Sequence, residues 1–209
     1  MHKTIKVALL AAMILPAAPL LANEWNFEVY LDDKKVGTHL FEIMDAADQR
    51  QVQSTANFNV KFLFFNAYRY EHTNTESWND NCLARFDAWT NVNGDPVAVS
   101  GASAESGFIV EKSDSSELLP DCVMSFAYWN PEFLKQERLL NPQTGEYLDV
   151  NIELMGTDAL EVRGETVDAQ RYKVTAKGID LLVWYANDSE WVALESVAKS
   201  GHIIRYELS

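Results

Sequence analysis

A hydrophobic period of two dominates this sequence. Trp25, Phe27, Val29 and Leu31 alternate with Asn26, Glu28 and Tyr30, and Leu148, Val150, Ile152 and Leu154 alternate with Asp149, Asn151 and Glu153. Successive side chains of a strand point to opposite faces, so each segment reads as a strand with one face on a core and the other in water. The pattern recurs at 36–44, 51–60 and 83–92, and in a closing meander at 179–185, 191–197 and 202–208. Turn-forming residues separate these runs: Asp32-Asp33-Lys34-Lys35, Asn93-Gly94-Asp95-Pro96, Asn187-Asp188-Ser189 and Lys199-Ser200-Gly201. Residues 97–112 predict two short strands, and the polar stretch 113–120 reads as a loop.

One segment departs from the pattern. Asn130 is a good N-cap, Pro131 suits a first helical position, and residues 132–140 are helix formers that end at Asn141-Pro142. An α-helix is expected there, with Phe133, Leu134 and Leu140 as its buried stripe. The expected fold is therefore mostly β: a strongly curved antiparallel sheet of about ten to twelve strands, a barrel or half-barrel, with one embedded α-helix. Curling removes the open edges that such a sheet would otherwise expose.

The N-terminus has the form of a secretory leader. Lys3 and Lys6 precede an apolar core at 7–21 that is short for a membrane span and interrupted by Pro16 and Pro19. Cleavage after Ala22 divides the chain into a signal peptide, 1–22, and a single antiparallel β domain, 23–209. No cysteine follows the apolar core, so a lipoprotein anchor is not expected, and periplasmic location is. No later segment has the continuous apolar length of a membrane span. Cys82 and Cys122 are the two cysteines, and in an oxidising compartment they predict a disulfide. The formal charge of -14 opposes binding to nucleic acid or anionic lipid surfaces.

Several residue groups, in order, resemble an uncharacterised family of exported Gram-negative proteins, a domain of unknown function. They are Gly37-Thr38-His39; Tyr68-Arg69-Tyr70-Glu71-His72 with Glu76 and Trp78; Leu139-Leu140-Asn141 through Gly145; and Trp184-Tyr185, Trp191, Glu195 and Arg205-Tyr206. The resemblance spans roughly 25–208. It implies a curved sheet similar to the periplasmic lipoprotein carriers of the Lol system, where an incomplete barrel holds acyl chains under a helical lid. It implies no reaction and no catalytic residue.

Chemistry concentrates in 68–78. On one strand, Tyr68, Tyr70, His72, Asn74, Glu76 and Trp78 share a face, while Arg69, Glu71, Thr73, Thr75 and Ser77 occupy the other. The first face is expected to point inward, where polar groups need partners or a wet cavity. Two pleats separate His72 from Glu76, roughly 13 Å at about 3.3 Å per residue, too far for a direct bond. Tyr68, Tyr70, His72, Glu76 and Trp78, with Trp129 and Phe133 from the helical segment, form the candidate ligand pocket. The alternative is a plain β core with tyrosines at its rim. His39, His72 and His202 lack metal-ligand spacing, so no metal is expected. Ser103, in Gly101-Ala102-Ser103-Ala104-Glu105, lacks a nucleophile elbow's second glycine, and no phosphate loop or other cofactor motif is present. The leading expectation is a carrier of an apolar or amphipathic small molecule. The alternatives are an envelope enzyme using His72, Glu76 or Tyr70 with His39 or His202, and an assembly partner without a ligand.

Overall fold

The computed structural model describes residues 22–46, 49–62, 65–197 and 201–209. The leader and its cleavage point lie almost wholly outside the described residues. Eight strands run consecutively as antiparallel neighbours: β1 (Ala22–Leu31), β2 (Lys34–Ala46), β3 (Gln49–Phe62), β4 (Phe65–Asn79), β5 (Cys82–Val92), β6 (Asp95–Ala104), β7 (Gly107–Lys112) and β8 (Ser115–Leu119). Six follow: β9 (Arg138–Asn141), β10 (Glu146–Val162), β11 (Glu165–Ala176), β12 (Ile179–Ala186), β13 (Glu190–Val197) and β14 (Ile203–Leu208). β14 pairs with β1, Phe27 opposite Leu208, which joins both runs into one 14-stranded sheet ending at β8 and β9. The sheet is not closed, and it has more strands than the alternation suggested.

Local chemistry sets the hairpins. Asn93-Gly94 and Arg163-Gly164 are two-residue loops with positive φ at both positions, the turn whose twist matches paired strands. Ser115–Leu119 was expected to be a loop and is instead the edge strand β8, paired along β7. Only Leu119 of its five residues is buried, so no alternation marks it.

The expected α-helix is absent. Asn130 does cap a helical turn, its side chain accepting from the Glu132 N–H at 3.1 Å with Pro131 behind it. The turn is a 3₁₀ piece, Pro131–Lys135, and Gln136 is already extended. Arg138–Asn141 becomes β9, with Leu139 and Leu140 both fully buried. Its backbone is bonded on both sides, to β10 and to the Met124–Phe126 segment through Leu140 N to Met124 O (2.8 Å) and Phe126 N to Leu140 O (3.1 Å). The strand satisfies its backbone in two ladders and buries both leucines, whereas the expected helix would bury only Leu140 of the two.

Residues 120–137 cross the concave face from β8 to β9 and fill much of it. Val123, Met124, Ser125, Ala127 and Phe133 are all buried, and Leu83 N donates to Val123 O at 2.9 Å. The sulfurs of Cys82 and Cys122 lie at bonding distance, with Cα atoms 4.9 Å apart, pinning this segment to the start of β5. The sheet curls enough for Gly145, in the β9–β10 turn, to press on β6 and β7. A Cβ there would come within 2.9 Å of Val99 Cγ1 and 3.1 Å of Val110 Cγ1. No helix among the described residues is long and apolar enough to cross a membrane.

Candidate functional site

Antiparallel register stacks the inward side chains of β2 to β5 into rows. His39, Ala56, His72 and Thr90 form one; Phe41, Ser54, Asn74 and Ala88 the next; Ile43, Val52, Glu76 and Phe86 the third. Polar groups thus collect on the inner face of β4 and its neighbours, where the alternation of 68–78 puts them. Tyr70, His72, Asn74, Glu76 and Trp78 are buried, and the opposite face is open to solvent.

These rows form one wall of a cavity of about 360 Å³. His39, Phe41, Val52, Ser54, His72, Asn74 and Glu76 supply that wall. Phe126, Ala127, Tyr128 and Trp129 of the crossing segment face it. Asn141 to Gln143, Gly178 to Leu181 and Ser196-Val197 complete it at the strand ends.

Glu76 anchors the polar cluster. Its Oε1 accepts from Asn74 Nδ2 and Ser125 Oγ, and its Oε2 from Trp78 Nε1, each at 2.9 Å. Burial pushes its pKa up, against three hydrogen bonds that favour the carboxylate. His39 Nε2 lies 2.7 Å from Ser54 Oγ, and His72 Nδ1 lies 2.8 Å from Thr90 Oγ1. Burial lowers both imidazoles, to about 3 and about 4, so both are neutral at pH 7. Two polar atoms of this wall are buried and unpartnered: His39 Nδ1 and Asn74 Oδ1.

The residues singled out by sequence divide accordingly. His72, Glu76 and Trp129 line the cavity. Trp78 lies behind it, fully buried, and meets the lining through its bond to Glu76 and through its ring, edge-on to Trp129 with centroids 5.4 Å apart. Tyr70 is packed beside Phe58, ring centroids 5.1 Å apart, outside the lining, and Tyr68 is 37% exposed. Phe133 is core, its ring against Tyr128 and Tyr185. His202 stands apart, exposed and 2.8 Å from Asp32. Ser54, Ser125, Phe41 and Val52 were not singled out. Ser54 is alternation-phased with Val52, but Ser125 lies in an irregular segment whose position only the tertiary contacts define.

Acid–base pairing among the candidates does not occur. His39, His72 and Glu76 each bond to a hydroxyl or amide and not to one another. The Ser54–His39 pair has a nucleophile and a base, but no carboxylate orients His39 Nδ1. Among the described residues no group of three or more His, Cys, Asp or Glu is arranged to hold a metal.

Fold and site together define a barrel-like β domain with a small, partly polar, half-open cavity. The chain belongs to the family DUF6134, a domain of unknown function, whose model matches residues 27–209. No curated protein matches the sequence. Among solved structures, the chain is similar to the crystal structure of a beta-barrel-like protein of domain of unknown function DUF1849 from Brucella abortus. The TM-score is 0.66 at 8% identity, over 92% of this chain and 97% of that one, a likeness of fold alone.

Proposed function

We propose that this domain is an exported, periplasmic binding protein that holds a small amphipathic molecule in the cavity between β2–β4 and the crossing segment. The observation that carries the reading is the pair of unpartnered buried atoms, His39 Nδ1 and Asn74 Oδ1, on the cavity wall. Buried polar atoms are nearly always satisfied, and each left bare costs about 1–3 kcal/mol. A ligand supplying their partners recovers that cost. Phe41, Val52, Phe126, Ile179 and Leu181 offer apolar surface beside them, the mixed lining of small-molecule sites.

The size of the cavity limits the occupant. Its volume of about 360 Å³ lies near the lower end of the range of small-molecule pockets. A single short chain with one polar group suits it. The acyl chains of a lipoprotein, which a Lol-type half-barrel holds, do not, because residues 120–137 occupy the space they would need. Export is supported by the leader-like residues 1–22 and by the Cys82–Cys122 pair.

Native mass spectrometry of protein isolated from periplasm tests the reading. A small-molecule adduct, or adduct formation on adding short-chain amphiphiles, is the expected result. A bare mass in both cases overturns it and leaves a domain that acts through its outer surface.

A further inference from the structure

We propose that the ligand's polar end is a hydrogen-bond donor without negative charge, a hydroxyl or an amine, received by the carbonyl oxygen of Asn74. The inference rests on the cavity-binding reading above and names the chemistry of its occupant.

The orientation of the Asn74 side chain carries it. Trp78 Nε1 is an obligate donor, so the Glu76 oxygen it meets accepts. The other oxygen takes Ser125 Oγ and an Asn74 amide edge, both at 2.9 Å. A carboxylate only accepts, so the edge of Asn74 facing it is the NH₂ group. The carbonyl oxygen is thereby turned away from Glu76, buried and without a donor. Glu76 acts as a positioning residue: it fixes which end of Asn74 a ligand meets.

The surrounding charge agrees. No Lys or Arg is among the described residues lining the cavity, whereas Glu76 and Asp180 are. Among the described residues, three cations beside the lining are already committed: Lys173 pairs with Asp180, Lys177 with Glu146, and Arg50 with Asp45 while lying over the Trp129 ring. The two imidazoles are neutral. An anionic head would enter beside a buried carboxylate with no counter-charge, whereas a hydroxyl or ammonium supplies the donor that the buried Asn74 oxygen lacks. His39 Nδ1 does not discriminate, because the Ser54 hydroxyl on its other nitrogen can donate or accept, leaving either tautomer available.

The test is a matched series at neutral pH: hexanol, hexylamine and hexanoate, titrated into the full protein and read by calorimetry and by fluorescence of Trp129, which lines the cavity. Hexanol or hexylamine is expected to bind at least about ten-fold more tightly than hexanoate, the loss expected when a buried acceptor stays unpaired. The alcohol and amine arms show whether the donor is neutral or charged. In Asn74→Leu, with folding checked by near-ultraviolet circular dichroism, hexanol and hexylamine should each bind about ten-fold or more weakly than to the parent, while hexanoate stays disfavoured by the acidic lining; unchanged hexanol and hexylamine binding overturns the role of Asn74. Hexanoate binding as well as, or better than, the other two overturns the donor assignment while sparing the cavity reading. It would place the Asn74 NH₂ toward the ligand and a proton on Glu76. Binding by none of the three overturns both.

Discussion

Replacing Glu76 by leucine and by glutamine separates the structural work of this carboxyl from its charge. In Glu76→Leu all three donors lose their acceptor. Trp78 is fully buried and Ser125 is 1% exposed, so water replaces the carboxylate at neither. Two stranded donors at about 1–3 kcal/mol each give a loss of roughly 2–6 kcal/mol. Relief from no longer burying a carboxylate reduces it. Glu76→Gln strands less: its carbonyl can serve Trp78, its NH₂ meets Ser125 Oγ, and rotation of the Asn74 amide lets Asn74 Oδ1 accept from that NH₂, leaving the Asn74 NH₂ as the unpaired end in place of the carbonyl. The glutamine variant should stay within about 1 kcal/mol of the parent, since Trp78 and Ser125 each keep a bond and Asn74 only exchanges one unpaired end for the other. The leucine variant should fall below glutamine by at least about 2 kcal/mol. Urea unfolding followed by tryptophan fluorescence reads this directly: with a slope of roughly 2 kcal/mol per molar urea, the midpoints should differ by about 1 M or more. Coincident midpoints for the two variants would refute the claim that Glu76 is held for its hydrogen bonds.

Three further outcomes follow from the same structure. Buried His39 and His72, lowered to about 3 and about 4, stay neutral in the folded chain while unfolded histidine takes up a proton near pH 6.5. The unfolded state then binds more protons, so stability should fall as pH drops from about 6.5 toward 4, at up to about 2.7 kcal/mol per pH unit for the pair. Glu76, raised by burial, works in the opposite sense because its folded form takes up a proton first as pH falls. Urea midpoints measured against pH should therefore fall more steeply in Glu76→Gln than in the parent. Removing both cysteines frees a loop with a sequence separation of 40 and should cost about 4 kcal/mol by the chain-entropy relation, read as a lower unfolding midpoint than that of the oxidised parent. Gly37→Ala would set a Cβ 1.8 Å from the Asn57 carbonyl oxygen of β3. Backbone in a ladder cannot yield as a side chain can, so this variant should lose at least about 3 kcal/mol or fail to fold, with soluble yield and thermal midpoint as the measures.

Alternation alone carries most of the strand assignments, β8 and β9 excepted, and the inward face of 68–78, because a pleated chain in water must sort its side chains by polarity. The placement of Tyr70, His72, Asn74, Glu76 and Trp78 follows from it without any long-range information. Asn93-Gly94 likewise sets its own hairpin, since both residues tolerate the positive φ the turn requires. The pairing of Cys82 with Cys122 needed only composition and an expected oxidising compartment.

What the sequence does not carry is which strands meet across long separations and what fills the space they enclose. β14 pairs with β1 in the middle of the sheet, joining the first strand to the last, and no local signal marks that ladder. The capping signals at Asn130-Pro131 produced one 3₁₀ turn. The rest of the expected helix yielded to β9, whose partners at Met124–Phe126 and Glu146–Asp149 come from elsewhere in the chain. The cavity is decided at this level too. Crossing residues 120–137 close over most of the concave face, drop Ser125 onto Glu76, and stop short of His39 and Asn74. Local pattern fixes which way each side chain points; packing between distant segments fixes what it meets there.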